Sequence, residues 1–313
     1  VRRFATIYLA TKHWLLLAAL LATAGPLLLW TWAAQSWATN PQDNAAEGSP
    51  APVERDDMVW VPAGEFLMGG KSAPDQWPIH QVALDGYWID RYHVTNIQFQ
   101  EFVDATGYET TAEQRGSSLV FVAEQKQWVE VAGAHWRRPQ GPDSSLFGLG
   151  RHPVVHVSHI DARAYAEWAG KRLPTEAEYE RAARGGALAD TYAWGNDLAP
   201  NNTPMANFWQ GRFPHEDNGL DRFRKLAPVG RFAANDYGLL DMAGNAWCWT
   251  ADGYDAEYYA ISPPANPAGS IDATDRVLRG GSYLTPASGM AVSTRAHADP
   301  QHTAGDIGFR CAR

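Results

Sequence analysis

HPVVHVSHIDARAYAEWAGKRLPTEAEYE, residues 152–180, passes from an extended run into two short helices. In its first part apolar residues alternate with His152, His156 and His159, a spacing that sets some imidazoles on one side of an extended segment. Asp161 then caps a helix over Ala162–Ala169, and Gly170 stops it. Pro174 and Thr175 open the next helix, Glu176 and Glu178 lie in its first turn, and Gly185-Gly186 lie past its end, an order that suits the helix dipole.

Working outward, MVWVPAGEFLMGG (58–70) alternates apolar and small residues, then stops at a glycine pair, and reads as a strand and turn. QVALDGYWIDRYHVTN (81–96) repeats the alternation. Thr95 caps a helix over Asn96–Ala105, with Phe99, Phe102 and Val103 on one face and Gly107 after it. Residues 108–151 read as irregular, and the chain after Gly186 as turns and short strands. The 28 Gly, 20 Pro and 14 Trp of the 313 residues agree with a loop-rich interior filled by large rings. A net charge of -9 argues against a polyanion-binding surface, so nucleic acid is not an expected partner.

Arg2, Arg3 and Lys12 precede an apolar run from Trp14 to Ala34. Residues 1–38 are therefore expected to be a signal peptide, cut after Ser36-Trp37-Ala38, or an uncleaved anchor in the inner membrane. Either places the remainder outside the cytoplasm, in the periplasm or exported. Residues 39–57, polar and Pro-rich, read as a flexible linker, and 58–313 as one folded domain. Cys248 and Cys311 are an even pair in an oxidising compartment, which permits a disulfide; the alternative is two separately buried thiols.

Seven strings in fixed order resemble the formylglycine-generating (sulfatase-modifying factor) family: VPAGEFLMGG (61–70), YHVTNIQFQEFVDATGY (92–108), HWRRPQGPDSS (135–145), residues 152–180, ANFWQGRFP (206–214), YGLLDMAGNAWCWTAD (237–252), and RVLRGGSY (276–283) with its distant GFRC (308–311). The resemblance covers 58–313 as a sulfatase-modifying-factor-like domain. It implies an α+β domain, the family's variant of the C-type-lectin-like fold, low in regular secondary structure. It also implies a first calcium site at Asn207, Phe208, Asp221 and Phe223, oxygen ligands suited to a hard, flexible cation. A second site would use Asp241, Gly244 and Ala246, but Cys248 stands in place of its Glu and His93 where another Glu is common. Those two are poor calcium ligands, so the site is expected to be empty, with a buried thiol and a buried, hydrogen-bonded imidazole; the alternative is a transition metal held by Cys248, His93 and Asp241.

The family's oxidase chemistry needs two cysteines after the GGS turn, which bind copper and exchange with a substrate thiol. Thr285 stands at the first, the second has no counterpart, and Leu284 to Thr294 contains no cysteine. Copper is not expected there, nor formylglycine generation by that route. The groove candidates are Ser282, Tyr283, Thr285, Trp247 and Arg295. If they converge with polar groups, catalysis or small-molecule binding is favoured; if Leu284 and Met290 fill the space, a binding role is favoured.

His152 and His156 belong to a family motif and are expected to be structural, whereas His297 and His302 lie nearer the altered turn. Three functions stay open. One is an exported accessory or maturation protein acting on or with a periplasmic redox enzyme such as copper nitrite reductase, in denitrification. Another is a calcium-stabilised module that binds a periplasmic protein or peptide without catalysis. The last is a periplasmic metal-dependent oxidoreductase, of the pyoverdine-tailoring type or using histidine-bound iron.

Overall fold

The structure, a computed structural model, describes residues 57–186 and 191–313. The expected signal or anchor (1–38) and all of the expected linker but Asp57 lie outside the described residues. The strand expected over 58–70 is two strands with different partners. Met58–Val61 (β1) pairs antiparallel with Tyr87–Asp90 (β4), and Gly64–Met68 (β2) with His80–Leu84 (β3). Pro62 causes the break, because it has no N–H to donate to a ladder. The freed carbonyls of Pro62 and Gly64 instead accept from Arg181.

Helix α1 spans Asn96–Thr106, with Thr95 and Gln98 forming a capping box and Gly107 ending it at φ 69°. The stretch expected to be irregular holds three elements. Thr111–Arg115 is a short helix (α2), and Ser117–Val122 (β5) pairs with Gln127–Ala132 (β6). The capping box Thr110/Glu113 was the legible sign of α2. Helix α3 runs His159–Trp168 and begins before Asp161: Ser158 is the cap, and Asp161, two residues inside the helix, closes the box back onto Ser158. Helix α4, Glu176–Arg184, starts at Thr175 and stops at Gly185, as its sequence indicates.

The remaining sheet has the order β10-β7-β8-β9, from Ile307–Phe309 (β10), Trp247–Gly253 (β7), Arg276–Arg279 (β8) and Arg295–Ala298 (β9). β10 lies parallel to β7, and the other pairs are antiparallel. Rings dominate the core. Phe99 is in contact with Trp136, Tyr165 and Phe309 at centroid distances of 5.1, 5.9 and 6.3 Å, and each such pair adds about 0.5–1.5 kcal/mol beyond its buried area.

Helix α4 is buried all round, which polar side chains tolerate only if paired. Glu180 meets Arg279 at 2.5 Å and Arg184 at 2.7 Å. Burial alone would raise the Glu180 carboxyl, but Arg279 and Arg184 outweigh it and hold it below its ordinary value. Arg279 also donates to the carbonyls of Val292, Ser293 and Thr294, tying the end of the loop after the GGS turn to α4.

Candidate functional site

Gly280 and Gly281 make the turn at the end of β8 possible. Both have positive φ (91° and 76°), and a Cβ on Gly280 would lie 2.4 Å from the Tyr179 hydroxyl. The turn is anchored when Gly244 N–H donates to Gly280 (2.8 Å) and Tyr283 N–H to Asn245 (3.0 Å). Past it the buried Ser282 hydroxyl donates to Asp306 at 2.8 Å, while Thr285 Oγ1 accepts from Ser282 N–H at 2.9 Å. Burial raises the Asp306 carboxyl to about 6, with the Ser282 bond pulling the other way. A titratable group thus lies behind the turn. Asp306 escaped the sequence reading; an acid set beside the apolar closing strand was the only sign of it.

The five groove candidates separate. Ser282 and Thr285 are together and nearly shut from solvent, and Trp247 N–H donates to the Asp306 carbonyl at 2.8 Å. Tyr283 faces a groove of about 160 Å³ whose walls include Trp136, Leu146, Leu149, His152 and Lys225. Arg295 is elsewhere: its guanidinium grips Glu176 at 2.6 and 2.9 Å and lies over the Tyr259 ring, because a buried arginine needs a carboxylate. Leu284 packs with Phe121 and Trp209, and Met290 with Ala206, Phe208 and Ala243, so both fill space around the turn. In the groove wall Trp136 Nε1 and His152 Nδ1 are buried with no hydrogen-bond partner among the described residues.

The other histidines are occupied. His156 bonds Ser118 and the Pro139 carbonyl, and burial holds it down at about 4. His159 meets the Thr250 carbonyl at 3.1 Å. His297 contacts Asp275 at 2.6 Å and stacks on Tyr254, on the far strand β9. His302 is held below its ordinary value, first by burial and then by Arg115. Cys248 and Cys311 are both free and buried, with thiols pushed up chiefly by burial, so neither is a ready thiolate.

Asn207, Phe208, Asp221 and Phe223 come together in one loop. Asp221 accepts from Phe208 N–H at 3.1 Å and from Phe223 N–H at 2.8 Å. Asn207 Nδ2 donates to Lys225 O and to Asn245 Oδ1, and its own Oδ1 stays buried without a partner. Burial, with Asp217 adding to it, raises the Asp221 carboxyl. An orphaned amide oxygen beside a destabilised carboxylate is a donor set that a cation would satisfy.

Around Asp241, Gly244 and Ala246, the Asp241 and Ala246 oxygens already have donors. His93 Nε2 lies 2.7 Å from the Ala246 carbonyl; burial, then Arg310, holds His93 down at about 3, so the neutral ring is assigned as the donor. Arg310 donates to the carbonyls of Asp90, Arg91, Leu240 and Asp241, and the Asp241 carboxylate accepts from Gly230 N–H at 2.7 Å. With a thiol and an imidazole in place of carboxylates, the residues here fit a second calcium less well than those at Asn207 and Asp221. Among the described residues, no three His, Cys, Asp or Glu side chains gather as a metal-binding group.

A loop-rich mixed α/β domain closing on a GGS turn, with the Asn207–Phe223 loop bonded to it through Trp209 and Thr285, defines the class of the protein. Residues 44–313 match the family described as "Sulfatase-modifying factor enzyme 1-like domain". The chain is 46% identical over 292 residues to the formylglycine-generating enzyme of Streptomyces coelicolor (86% of this chain, 93% of that protein). It is 42% identical over 281 residues to inactive C-alpha-formylglycine-generating enzyme 2 of Bos taurus (82% and 87%). Among solved structures it is similar to PvdO from Pseudomonas aeruginosa, at TM-score 0.64 and 28% identity over 82% of this chain and 93% of that one. The chain belongs to the formylglycine-generating enzyme (sulfatase-modifying factor) family and has that family's fold.

Proposed function

We propose that this protein is an exported accessory member of the family that holds a client in the groove beside Tyr283 and does not oxidise a thiol. The client class is a periplasmic redox enzyme such as copper nitrite reductase. The groove itself carries the reading: mostly apolar walls, among them Trp136, Leu146, Leu149 and Tyr283, next to a turn where Thr285 replaces a nucleophile. The filled space around Leu284 and Met290 argues in the same direction. We further propose calcium as the occupant of the Asn207/Asp221 loop, with a structural role, and delivery across the inner membrane by residues 1–38.

Two measurements test the reading. Incubation with copper and a cysteine-containing sulfatase peptide should give no aldehyde by mass spectrometry; its appearance would return the protein to the thiol-oxidising group. Titration calorimetry against purified periplasmic copper nitrite reductase should show binding that Y283A and W136F each weaken by about tenfold, or about 1.4 kcal/mol. Absence of binding removes that client. A second reading, tailoring of a small molecule, is favoured by the Asp306–Ser282–Thr285 hydrogen-bond chain; it predicts that a small ligand, and no protein, protects Tyr283 from modification.

A further inference from the structure

A larger cleft, about 580 Å³, opens away from the groove, between one face of α3, the loop leading to α4, the turn between β3 and β4, and the start of β8. Its floor is apolar, from Ala166, Leu173 and Ala251, and its rim is charged. Most of the rim is already neutralised. Lys171 is paired with Asp90 at 2.6 Å, and Arg172 grips Glu178 at 2.6 and 2.7 Å. The Asp85 carboxylate accepts from Asn266 Nδ2 at 3.0 Å.

One end stays unbalanced. Arg276, half-buried on β8, makes no side-chain hydrogen bond or ion pair among the described residues, and its Nε is buried without an acceptor. Other buried arginines leave Nε unpaired too, but Arg279, Arg310 and Arg181 each use their terminal nitrogens on carbonyls or carboxylates. Arg163 lies near the same end, and its one partner is Glu167, four residues on, in a pair more than 60% exposed on both sides (62% and 68%), which holds it weakly. Both guanidiniums are close enough to His159 to disfavour its charge, adding to burial. Two cations thus line one cleft over an apolar floor, with no acceptor for Arg276 among the described residues, an arrangement that suits an oxyanion.

We propose that this cleft binds a small solute through a carboxylate or phosphate group, with Arg276 as the main anchor and Arg163 as the second. The planar fork of Arg276 would supply two parallel donors to the anion, and the Ala166/Leu173/Ala251 floor would take the solute's apolar body.

Calorimetric titration of the full chain with inorganic phosphate and with succinate, at constant ionic strength, tests it. At least one should bind at millimolar affinity or tighter. Phosphate alone points to a phosphorylated solute, and succinate alone to a carboxylate. R276Q should weaken the binding by about tenfold or more, and R163Q by a smaller factor. Should R276Q not fold, judged by circular dichroism, R163Q on its exposed helix face decides. No heat with either anion up to tens of millimolar, or binding unchanged in whichever of these variants folds, overturns the proposal.

Discussion

Two loops of this domain present oxygen-rich residues that read alike in sequence, and the structure treats them in opposite ways. In the Asn207–Phe223 loop an amide oxygen is buried and unpaired, and the carboxylate beside it is raised by burial. In the Asp241–Cys248 segment the Ala246 carbonyl faces His93, and the Asp241 carbonyl takes a proton donor from Arg310. The GGS turn touches both regions, since Trp209 N–H donates to Thr285 and Tyr283 N–H to Asn245. Both carboxylates are raised by burial and both accept backbone N–H bonds. The difference lies in the neutral oxygens: Asn207 Oδ1 is left without a donor, whereas the Asp241 and Ala246 carbonyls are met by Arg310 and His93.

The contrast can be broken most sharply at Arg310. R310M strips donors from four backbone carbonyls and should lower the unfolding free energy by about 3–5 kcal/mol. A urea melt showing a loss under about 1 kcal/mol would mean that water or an added cation replaces the guanidinium. At the other loop, calcium at a hundredfold excess over its Kd should stabilise the protein by about 2.7 kcal/mol. Chelation should reverse the gain, and D221A should abolish it. If R310M gained a calcium response while the parent showed none, the roles of the two loops would be exchanged.

The turn between them offers a test by pH. Asp306 has a folded value of about 6, above the ordinary 3.8, so the native state holds the proton more tightly than the unfolded chain. Its contribution to stability is therefore present below about pH 4 and is lost as pH rises through 6. At pH 8, D306N should be more stable than the parent by on the order of 2–3 kcal/mol, and the gap should close by pH 4. Equal melts at both pH values would show that the carboxyl is solvated. His93 gives the opposite slope. Its folded value of about 3 lies below the ordinary 6.5, so the unfolded chain takes the proton first and stability falls as pH drops below 6.5. H93Q keeps a donor for Ala246; it should cost about 1 kcal/mol at pH 7 and remove that acid-side loss. This is the smallest effect, and the one that tells whether the imidazole serves only as a hydrogen-bond donor.

Much of the frame was legible. Helices α1 and α4 were set by Thr caps and Gly stops, signals that act within a few residues. The start of α3 was misplaced because Ser158 and Asp161 are both good caps, and only the closed box shows which is outside the helix. The β5/β6 hairpin was missed although burial alternates along β6, because each strand is only six residues long and no residue of β6 is fully buried.

By itself the sequence determined the family, helices α1 and α4, the lack of cysteine from Leu284 to Thr294, and the residues gathered at the Asn207 loop. Those are matters of residue type and local spacing. Tertiary structure decided which charges are spent. It set Arg295 on Glu176 and Arg310 on backbone carbonyls, put Asp306 behind Ser282, and left Arg276 with no acceptor among the described residues. A charged side chain looks the same in a string whether paired or not, and its chemistry depends on partners that lie 24, 69 or 119 residues away in these cases.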